Sequence, residues 1–585
     1  MKKTGQEQEL CRRQLGELLW VPRSPGDLSR AAKGFEIPVR EAIMSVPLSM
    51  QEDQHLTKGT SRSVLSSDDV PRDNLGYEQT LKRGIGALQN FAFGFTEVAV
   101  LASFTSVYGL GLASGGPVTI IWAFLFTWGF NTIVSYSMAE LCGAYPSAGS
   151  VYHWSAQVVP VKYAPLASYV GGWLNFTGNA AGDASFASAF ATAFLAALQA
   201  ANGATYDSNA SAGIALVVLV VWTMINWLDI SSLGWFNNLA ALCHSGAIVV
   251  IIIAITASAN PCNTGKFVFT HFENTTGFSD SYAVAVGITT ALFSFAGYEA
   301  SAHMSEETEE TDGSQTSAPR GIIATVFATG FGGFWYVLAL LLATNDIPAA
   351  LLTSPDEEGF LTISPPINVF ILNVGHAGGS ALAFLIVINL FFAGVSSCAV
   401  TGRITYALMR DNAFPFSDYF KQVHPVLKSP IRAINFVCAF DFVLLCLLFN
   451  PNGGTAAFQA IVGLSTVGFQ LSYALPILLK VIYKPVDFPL TPMSLGRWSD
   501  TFGIVSCLWL LSSCCLFFLP TNAPVTAANM NWLCFVSAVV CAAGAVYWMV
   551  QGRHTFTGPK RLNSADEGAD DVPQKAEQLS GRGFI

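Results

Sequence analysis

Long apolar segments follow one another along most of the chain and are separated by short polar connections. A helix that crosses a membrane needs about 20 mostly apolar residues. Twelve segments meet that requirement, and they are numbered here as spans 1 to 12: 87–113, 117–143, 163–199, 213–230, 234–258, 282–304, 321–344, 380–410, 431–450, 457–482, 502–520 and 530–551. The pattern predicts an all-α integral membrane protein with twelve transmembrane helices.

Polar residues concentrate at the two ends of the chain. We expect a cytosolic, largely disordered N-terminal tail at 1–83, a twelve-span membrane domain at 84–551 and a cytosolic C-terminal tail at 552–585. Only 12% of the residues are charged and 52% are hydrophobic, whereas soluble domains carry about 25% charged residues. This composition argues against a soluble enzyme, and the net charge of −10 gives no reason to expect nucleic acid as a partner.

The distribution of lysine and arginine predicts the orientation in the bilayer. With the N-terminus in the cytosol, fifteen of these residues lie at the inner side, and the outer loops contain only Lys266. Cytoplasmic loops of membrane proteins carry such an excess. We therefore expect both termini in the cytosol. The glycosylation motifs at Asn209 and Asn274 then fall in outer loops.

Spans 1 and 6 depart most from plain apolar helices. Each combines small and polar residues with one mid-span carboxylate, Glu97 in span 1 and Glu299 in span 6. Ionisable residues inside a membrane are rare and usually functional, and interrupted segments at matching places in two halves indicate an inverted-repeat transporter with its site near the midplane. The alternative is close helix packing by small residues, which is the interpretation adopted for Gly178 and Gly182 in span 3.

Several long motifs resemble a known family. Residues 139–154 read AELCGAYPSAGSVYHW, residues 297–308 read GYEASAHMSEET and are followed by APRGI at 318–322, and residues 402–415 read GRITYALMRDNAFP. Over roughly residues 75–562 the chain resembles the amino acid–polyamine–organocation (APC) superfamily, in its amino acid/choline transporter family. Within that family it is most similar to plant GABA permeases and bidirectional amino acid transporters.

The resemblance implies a LeuT-like fold with a five-plus-five inverted repeat, two appended spans, and discontinuous spans 1 and 6. By position the break in span 1 is expected at Leu101-Ala102-Ser103, and the break in span 6 at 294–297. A substrate carboxylate would bind free amides at the first break, and an ammonium would bind free carbonyls at the second. The expected substrate-binding residues are Glu97, Val100, Leu101, Ala102, Ser103, Ser294, Phe295, Ala296, Gly297 and Tyr298.

Four residues are candidates for gating or ion coupling. Glu299 matches an acidic position of the family, and His244 in span 5 could titrate during a proton-coupled cycle, although it could equally be a hydrogen-bonded core imidazole. Ser396 and Ser397 in span 8 match an ion site of sodium-coupled relatives, although hydroxyls in membrane helices often bond their own backbone. Glu97 could bind a cation or carry a proton, or it could be neutral and inert. We assign no function to Asp183 in span 3 or Asp441 in span 9 from the sequence.

These features predict secondary active or exchange transport of amino acids such as GABA, alanine or glutamate, with H⁺ as a candidate coupling ion. The alternatives are a choline, polyamine or cationic amino acid permease, a nutrient sensor of the same fold, and a major facilitator transporter.

No metal-ligand spacing, phosphate-binding loop or nucleophile triad is present in the sequence, so we expect no metal, no cofactor and no enzymatic activity. The plasma membrane is the expected location, with a mitochondrial or other organelle membrane as the alternative.

Overall fold

The computed structural model describes residues 81–309, 316–351, 364–449, 454–526, 530–556 and 558–561. Of the two tails predicted at 1–83 and 552–585, residues 1–80, 557 and 562–585 lie outside these residues. The helices in chain order are α1 Ala87–Val98, α2 Val100–Ala113, α3 Gly116–Ala144, α4 Ser150–Gln157, α5 Ala164–Asn202, α6 Ser208–Ile225, α7 Ile230–Ser258, α8 Gly265–Thr270, α9 Asp280–Phe293, α10 Ala300–His303, α11 Ser317–Ala343, α12 Ile347–Leu351, α13 Pro365–Arg410, α14 Ser417–Phe420, α15 Ile431–Cys446, α16 Gly454–Tyr483, α17 Ser499–Phe517, α18 Leu533–Tyr547 and α19 Arg553–Thr555.

The described helices support a multi-pass membrane protein. Ten helical stretches are long and apolar enough to cross a membrane, with α1 and α2 together forming one of them. The other two predicted spans contain α9, which has 14 residues, and α15, which has 16. These two helices are too short to be counted by the same measure. No β-strand occurs among the described residues beyond two isolated bridges.

The break in span 1 lies at Ala99 and not at Leu101–Ser103 as the sequence predicted. Ala99 adopts the left-handed conformation, with φ 43° and ψ 54°, between α1 and α2. The hydroxyl of Ser103 donates to the carbonyl of Val98 over 2.7 Å, and the amide of Ser103 donates to the carbonyl of Ala99 over 2.9 Å. Ser103 therefore stabilises the break from the first turn of α2 and is not itself unwound.

The break in span 6 covers residues 294–299, between α9 and α10, and includes the predicted segment 294–297. Gly297 has a φ of 88°, a conformation that is unfavourable for residues with a side chain. The segment makes short-range turns, such as the bond from the amide of Phe295 to the carbonyl of Leu292. Some of its peptide groups are therefore available to neighbouring helices.

Hydrogen bonds join the start of span 1 to the end of span 6. The amides of Gly84 and Ile85 donate to the carbonyl of Glu307 over 3.0 and 3.3 Å, and the amide of Glu309 donates back to Ile85 over 2.7 Å. Asn90 of α1 also donates to the carbonyl of Ser301 over 2.9 Å. These bonds join residues that are more than 200 positions apart in sequence, so the start of span 1 and the end of span 6 form one unit.

Close backbone contact joins α5 to α16 at the centre of the bundle. A Cβ atom added at Gly178 would lie 2.8 Å from the amide nitrogen of Phe469, and one added at Gly468 would lie 2.6 Å from the Cα of Gly178. Both distances are below van der Waals contact, and the atoms approached are backbone atoms. The interpretation of Gly178 as a packing residue is therefore supported by the structure.

We predict that Gly178→Ala destabilises the protein by about 1–3 kcal/mol, because the new methyl group forces two helix backbones apart. The matched control is Gly213→Ala in α6, where nothing lies within 4 Å of the added Cβ and the higher helix propensity of alanine is neutral to favourable. Thermal unfolding of the purified protein in detergent measures both variants. Equal melting temperatures for the two would contradict the predicted role of Gly178.

Candidate functional site

The two helix breaks meet at a cavity in the middle of the bundle. The cavity, together with the solvent space at its opening, contains about 290 Å³ that no atom occupies. Six helices and the second break form its walls, and the lining residues are Glu97, Val98, Ser103, Gly182, Phe186, Phe293, Ala296, Gly297, Ser397, Ser465 and Phe469. The cavity therefore joins both broken spans to spans 3, 8 and 10.

The structure brings only part of the predicted site to this cavity. Five of the predicted residues line it: Glu97, Ser103, Ala296, Gly297 and Ser397. The remaining substrate-binding candidates are close in sequence but do not line it, namely Val100, Leu101, Ala102, Ser294, Phe295 and Tyr298. The ring of Phe295 packs against Phe124 with 5.3 Å between ring centroids, and the hydroxyl of Tyr298 donates to Asn131. These two aromatic residues belong to the packed surroundings of the cavity.

Glu97 is the acidic group of the cavity wall. Its side chain is 2% exposed, and neither carboxylate oxygen has a hydrogen-bond partner among the described residues. A Cβ at Gly297 would lie 3.0 Å from its Oε1, so the carboxylate lies directly against the second break. The ionisable groups that interact with it are two further carboxyls, Glu299 and Asp183. No lysine or arginine is among the described lining residues, and a positively charged group would be stabilised here.

The first turn of α2 presents free amides beside this cavity. The amides of Ala102 and Ser103 both donate to the carbonyl of Ala99 over 2.9 Å, so these two predicted donors are occupied. In the described part of the chain, the amides of Val100 and Leu101 make no such bond. Free amides at a helix N-terminus favour an anion such as a carboxylate. The free amide donors, Val100 and Leu101, therefore lie two and one residues before Ala102, which is the centre of the predicted segment 101–103.

A hydrogen-bond network that the sequence did not reveal supports the second break. The hydroxyl of Tyr473 in α16 accepts from the amide of Gly297 over 3.1 Å and donates to the carboxylate of Glu299. Asn175 of α5 donates to the other oxygen of Glu299 over 3.1 Å. Tyr473 and Asn175 are more than 120 positions from Glu299 and belong to no motif, so only the folded chain identifies them.

Two candidates for ion coupling lie beside α1 and not on the cavity. The ring of His244 packs edge-on against Phe95, with 4.9 Å between ring centroids, and its Nε2 has no partner among the described residues. The hydroxyl of Ser396 donates to the carbonyl of Phe93 over 3.0 Å. Both residues therefore contact the half of span 1 that precedes the break.

Ion pairs connect the end of span 6 to α13. Arg403 donates to Glu307 over 2.9 Å, and Arg410 pairs with Glu306 at 3.1 Å. Burial alone would raise the pKa of the Glu306 carboxyl, but the charge of Arg410 and hydrogen bonds from Arg410, Ala148 and Ser147 outweigh it and lower that pKa. Glu306 is therefore charged at neutral pH, and the pair weakens only as the pH falls through this lowered pKa.

Glu140 makes a further inner contact between spans 2, 10 and 11. Its carboxylate accepts from Lys480 and, over 2.8 Å, from the hydroxyl of Ser499. The amide of Leu495 also donates to it over 3.1 Å.

Among the described residues, no group of three or more His, Cys, Asp or Glu side chains could hold a metal ion.

Comparisons with known proteins agree with this architecture. A family model described as amino acid permease matches residues 85–540. The chain is 34% identical to the amino-acid permease BAT1 of Arabidopsis thaliana, over 85% of this chain and 97% of that protein. It is 34% identical to the BAT1 homolog of Oryza sativa subsp. japonica, over 83% and 94%. It is also 27% identical to amino-acid permease 2 of Neurospora crassa, over 85% and 90%.

The fold and the site define a multi-pass membrane protein with a buried cavity between interrupted helices. The chain belongs to the amino acid permease family of the APC superfamily, which confirms the resemblance in the sequence motifs. The relatives are named permeases, and this supports amino acid transport in general terms.

We predict that Tyr473→Phe lowers uptake at least about fivefold. The change leaves the amide of Gly297 and one carboxylate oxygen of Glu299 without a partner, while Asn175 still binds the other oxygen. An unsatisfied buried group costs about 1–3 kcal/mol. Initial uptake of a radiolabelled amino acid mixture, at equal amounts of protein in vesicles, measures the effect. The control is Tyr136→Phe in α3, whose ring contacts Phe502 far from the break. Unchanged uptake by Tyr473→Phe would remove this network from the functional site.

Proposed function

We propose that the protein transports amino acids across a membrane by alternating access, as a secondary active transporter or an exchanger. The observation that carries this proposal is the cavity at the meeting point of two interrupted apolar helices. Transporter binding sites are typically formed at such breaks, where half-helix ends supply free amides and carbonyls. Transport, not catalysis, is the activity that this arrangement serves.

The arrangement of donors and acceptors suits a zwitterion. A substrate carboxylate would bind the amides of Val100 and Leu101, and its ammonium group would bind free carbonyls at 294–296, because the carbonyl of Gly297 already accepts from the amide of Ala300. Ser103 lies on the cavity wall. Small amino acids such as GABA, alanine and glutamate are the proposed substrates, because the cavity is small and both kinds of polar group lie on or beside its wall.

Cationic substrates are the second candidate, and the unpaired carboxylate of Glu97 favours them. Two more carboxyls interact with Glu97, and neither supplies a positive charge. Lysine, arginine, a polyamine or choline would bring that charge into the cavity. Glu97 is therefore the residue that separates the two substrate classes.

The proposal includes the full inverted-repeat architecture. Spans 6 and 9 would cross the membrane despite the shortness of α9 and α15, so that spans 1–5 and 6–10 form two repeats with spans 11 and 12 appended. Spans 1, 2, 6 and 7 would rock against spans 3, 4, 8 and 9. The inner ion pairs of Glu306 and Glu307 with Arg410 and Arg403 link span 6 to span 8, so they would have to break when the cavity opens to the cytosol. We propose H⁺ as the coupling ion and the plasma membrane as the location.

We predict that Glu97→Gln lowers lysine uptake at least about tenfold and alanine uptake by less than about threefold. The second ammonium group of lysine loses its charged partner, and a charge-assisted hydrogen bond contributes about 1.5–3 kcal/mol. Alanine keeps its carbonyl partners at the second break. Uptake of each radiolabelled amino acid by reconstituted protein measures the difference.

The companion variant for this experiment is Ser103→Leu, which fills the cavity and should abolish uptake of both amino acids while the protein still folds. Equal losses of lysine and alanine in Glu97→Gln would mean that Glu97 binds the α-ammonium group common to both. Absence of lysine uptake by the wild type would reject the cationic candidate. Normal uptake by Ser103→Leu would place the site elsewhere.

We predict that both tails are cytosolic and that Asn209 and Asn274 face the outside or an organelle lumen. The excess of lysine and arginine on the opposite side is the reason. Limited proteolysis of sealed cells or organelles, with an epitope at the C-terminus, measures the orientation. Loss of the epitope without permeabilisation would reverse the assignment, and release of the membrane with detergent serves as the positive control.

A further inference from the structure

Two carboxyl groups that the proposed substrate site does not use lie together inside the bundle. Asp183 belongs to α5 and Asp441 to α15. Both side chains are completely buried, and the two interact electrostatically. Within the part of the chain that the structure describes, no donor meets any of their four oxygens at hydrogen-bonding geometry. Buried charges are normally paired and hydrogen-bonded, because an isolated charge is very unfavourable in a low-dielectric interior.

The helix that packs against both aspartate helices supplies no positive charge. Ser397, Cys398 and Thr401 of α13 face Asp183. The hydroxyl of Thr401 already donates to the carbonyl of Ser397 over 3.0 Å, and thiols such as Cys398 are weak donors. The hydroxyl of Ser397 can orient towards Asp183, but it carries no charge. The polar side chains of α13 therefore leave the negative charge of the pair uncompensated.

The other neighbouring helices supply no cation either. The ionisable groups that face the pair are Glu97 on α1, Cys398 on α13 and Cys438 on α15, and none of them is positively charged. At the level of Gly182, α16 presents Ser465 and Phe469. The α6 helix contains no ionisable residue. Two ionised carboxylates at this place would repel each other, so the pair requires a bound cation or a proton.

The pair adjoins the substrate cavity. Gly182, which precedes Asp183, lines the cavity together with Ser397, and a Cβ at Gly182 would lie 3.9 Å from the Oγ of Ser397. On the cavity wall, Glu97 is itself buried and without a partner among the described residues, and it interacts with Asp183. The unpartnered carboxylate of Glu97 on the cavity wall indicates that a positive charge reaches the aspartate pair from the cavity.

The chemistry of the neighbours favours a proton over a metal ion. Alkali and alkaline-earth cations prefer a shell of oxygen ligands, whereas two thiols, Cys398 and Cys438, adjoin the pair. A proton needs only two oxygens: one carboxyl binds it covalently, and the other accepts the hydrogen bond. We propose that Asp183 and Asp441 together form the proton-binding site of this transporter.

This inference rests on the amino acid transport proposed above. The pair takes up one proton when the cavity faces the outside, which forms one O–H bond and removes one negative charge. The proton leaves as H⁺ when the cavity faces the cytosol. Because Glu97 interacts with Asp183, the charge of the pair affects the binding of a substrate ammonium in the cavity. Proton and substrate therefore move together, and His244 is not required as the carrier.

The test uses Asp183→Asn and Asp441→Asn in proteoliposomes, with alanine as the probe. Two quantities are measured: the stimulation of uptake by an inward proton gradient, and alanine–alanine exchange without a gradient. The gradient should stimulate wild-type uptake several-fold and should not stimulate either variant. Exchange should stay within about twofold of wild type, because asparagine imitates a protonated aspartate. Asp207→Asn, at an exposed position of an outer loop, is the control and should retain both activities.

The outcomes separate this inference from the proposed function. Absence of exchange by the wild type with every amino acid would reject the transport function. Two results would overturn the proton site but not the transport function. One is wild-type exchange of alanine together with uptake that a proton gradient does not stimulate. The other is full stimulation of uptake in both asparagine variants. Loss of stimulation in His244→Asn with retention in Asp183→Asn would assign the proton to His244. Stimulation by a sodium gradient at constant pH would also overturn the assignment.

A measurement on the wild type keeps the inference testable if the variants do not fold. Asp183 and Asp441 are the only completely buried aspartates in the described ranges. Infrared spectra at neutral pH should show the carbonyl band of a protonated carboxylic acid, and this band should shift when aspartate is labelled with ¹³C. Absence of a labelled band would show that neither aspartate holds a proton.

Discussion

The satisfaction of backbone hydrogen bonds inside an apolar bundle is the constraint on which the structure depends. An interrupted helix frees amides and carbonyls that lipid cannot satisfy, so each freed group requires a partner from the protein or from a ligand. The hydroxyl of Ser103 binds the carbonyl of Val98, and the hydroxyl of Tyr473 binds the amide of Gly297. The amides of Val100 and Leu101 have no such partner among the described residues, and this is why the proposed carboxylate site lies there.

The distribution of charge follows from the same constraint. Three basic side chains near the ends of long helices have carboxylate partners: Arg403 with Glu307, Arg410 with Glu306 and Lys480 with Glu140. The centre of the bundle has the opposite balance and holds four buried carboxyls: Glu97, Asp183, Glu299 and Asp441. Only Glu299 among them is hydrogen-bonded, to Tyr473 and Asn175. A bundle with this imbalance is suited to take in positive charge, as an ammonium group or as a proton.

Rigid packing on one side and breakable contacts on the other give the bundle two distinct parts. The approach of Gly178 to Gly468 brings the backbones of α5 and α16 together and leaves no room for a side chain. The contact of residues 306–307 with α13 depends instead on two ion pairs, Glu307 with the buried Arg403 and Glu306 with the partly buried Arg410. Ion pairs can exchange partners or become hydrated, whereas closely packed backbones have no alternative partner. The proposed motion is therefore assigned to the ion pairs and not to the α5–α16 contact.

The sequence by itself determined the class of the protein and the approximate place of the site. Apolar segment lengths depend only on local composition, and the motifs at 139–154 and 402–415 are contiguous. The membrane spans and the family could therefore both be predicted from the sequence. The break at Ala99, two residues before the predicted segment, depends on where the hydroxyl of Ser103 reaches a carbonyl. Tyr473, Asn175 and the partnership of Asp183 with Asp441 join distant segments whose neighbours no local pattern specifies. Only the tertiary structure decided these features, because hydrogen bonds and charge pairs act through space and not along the chain.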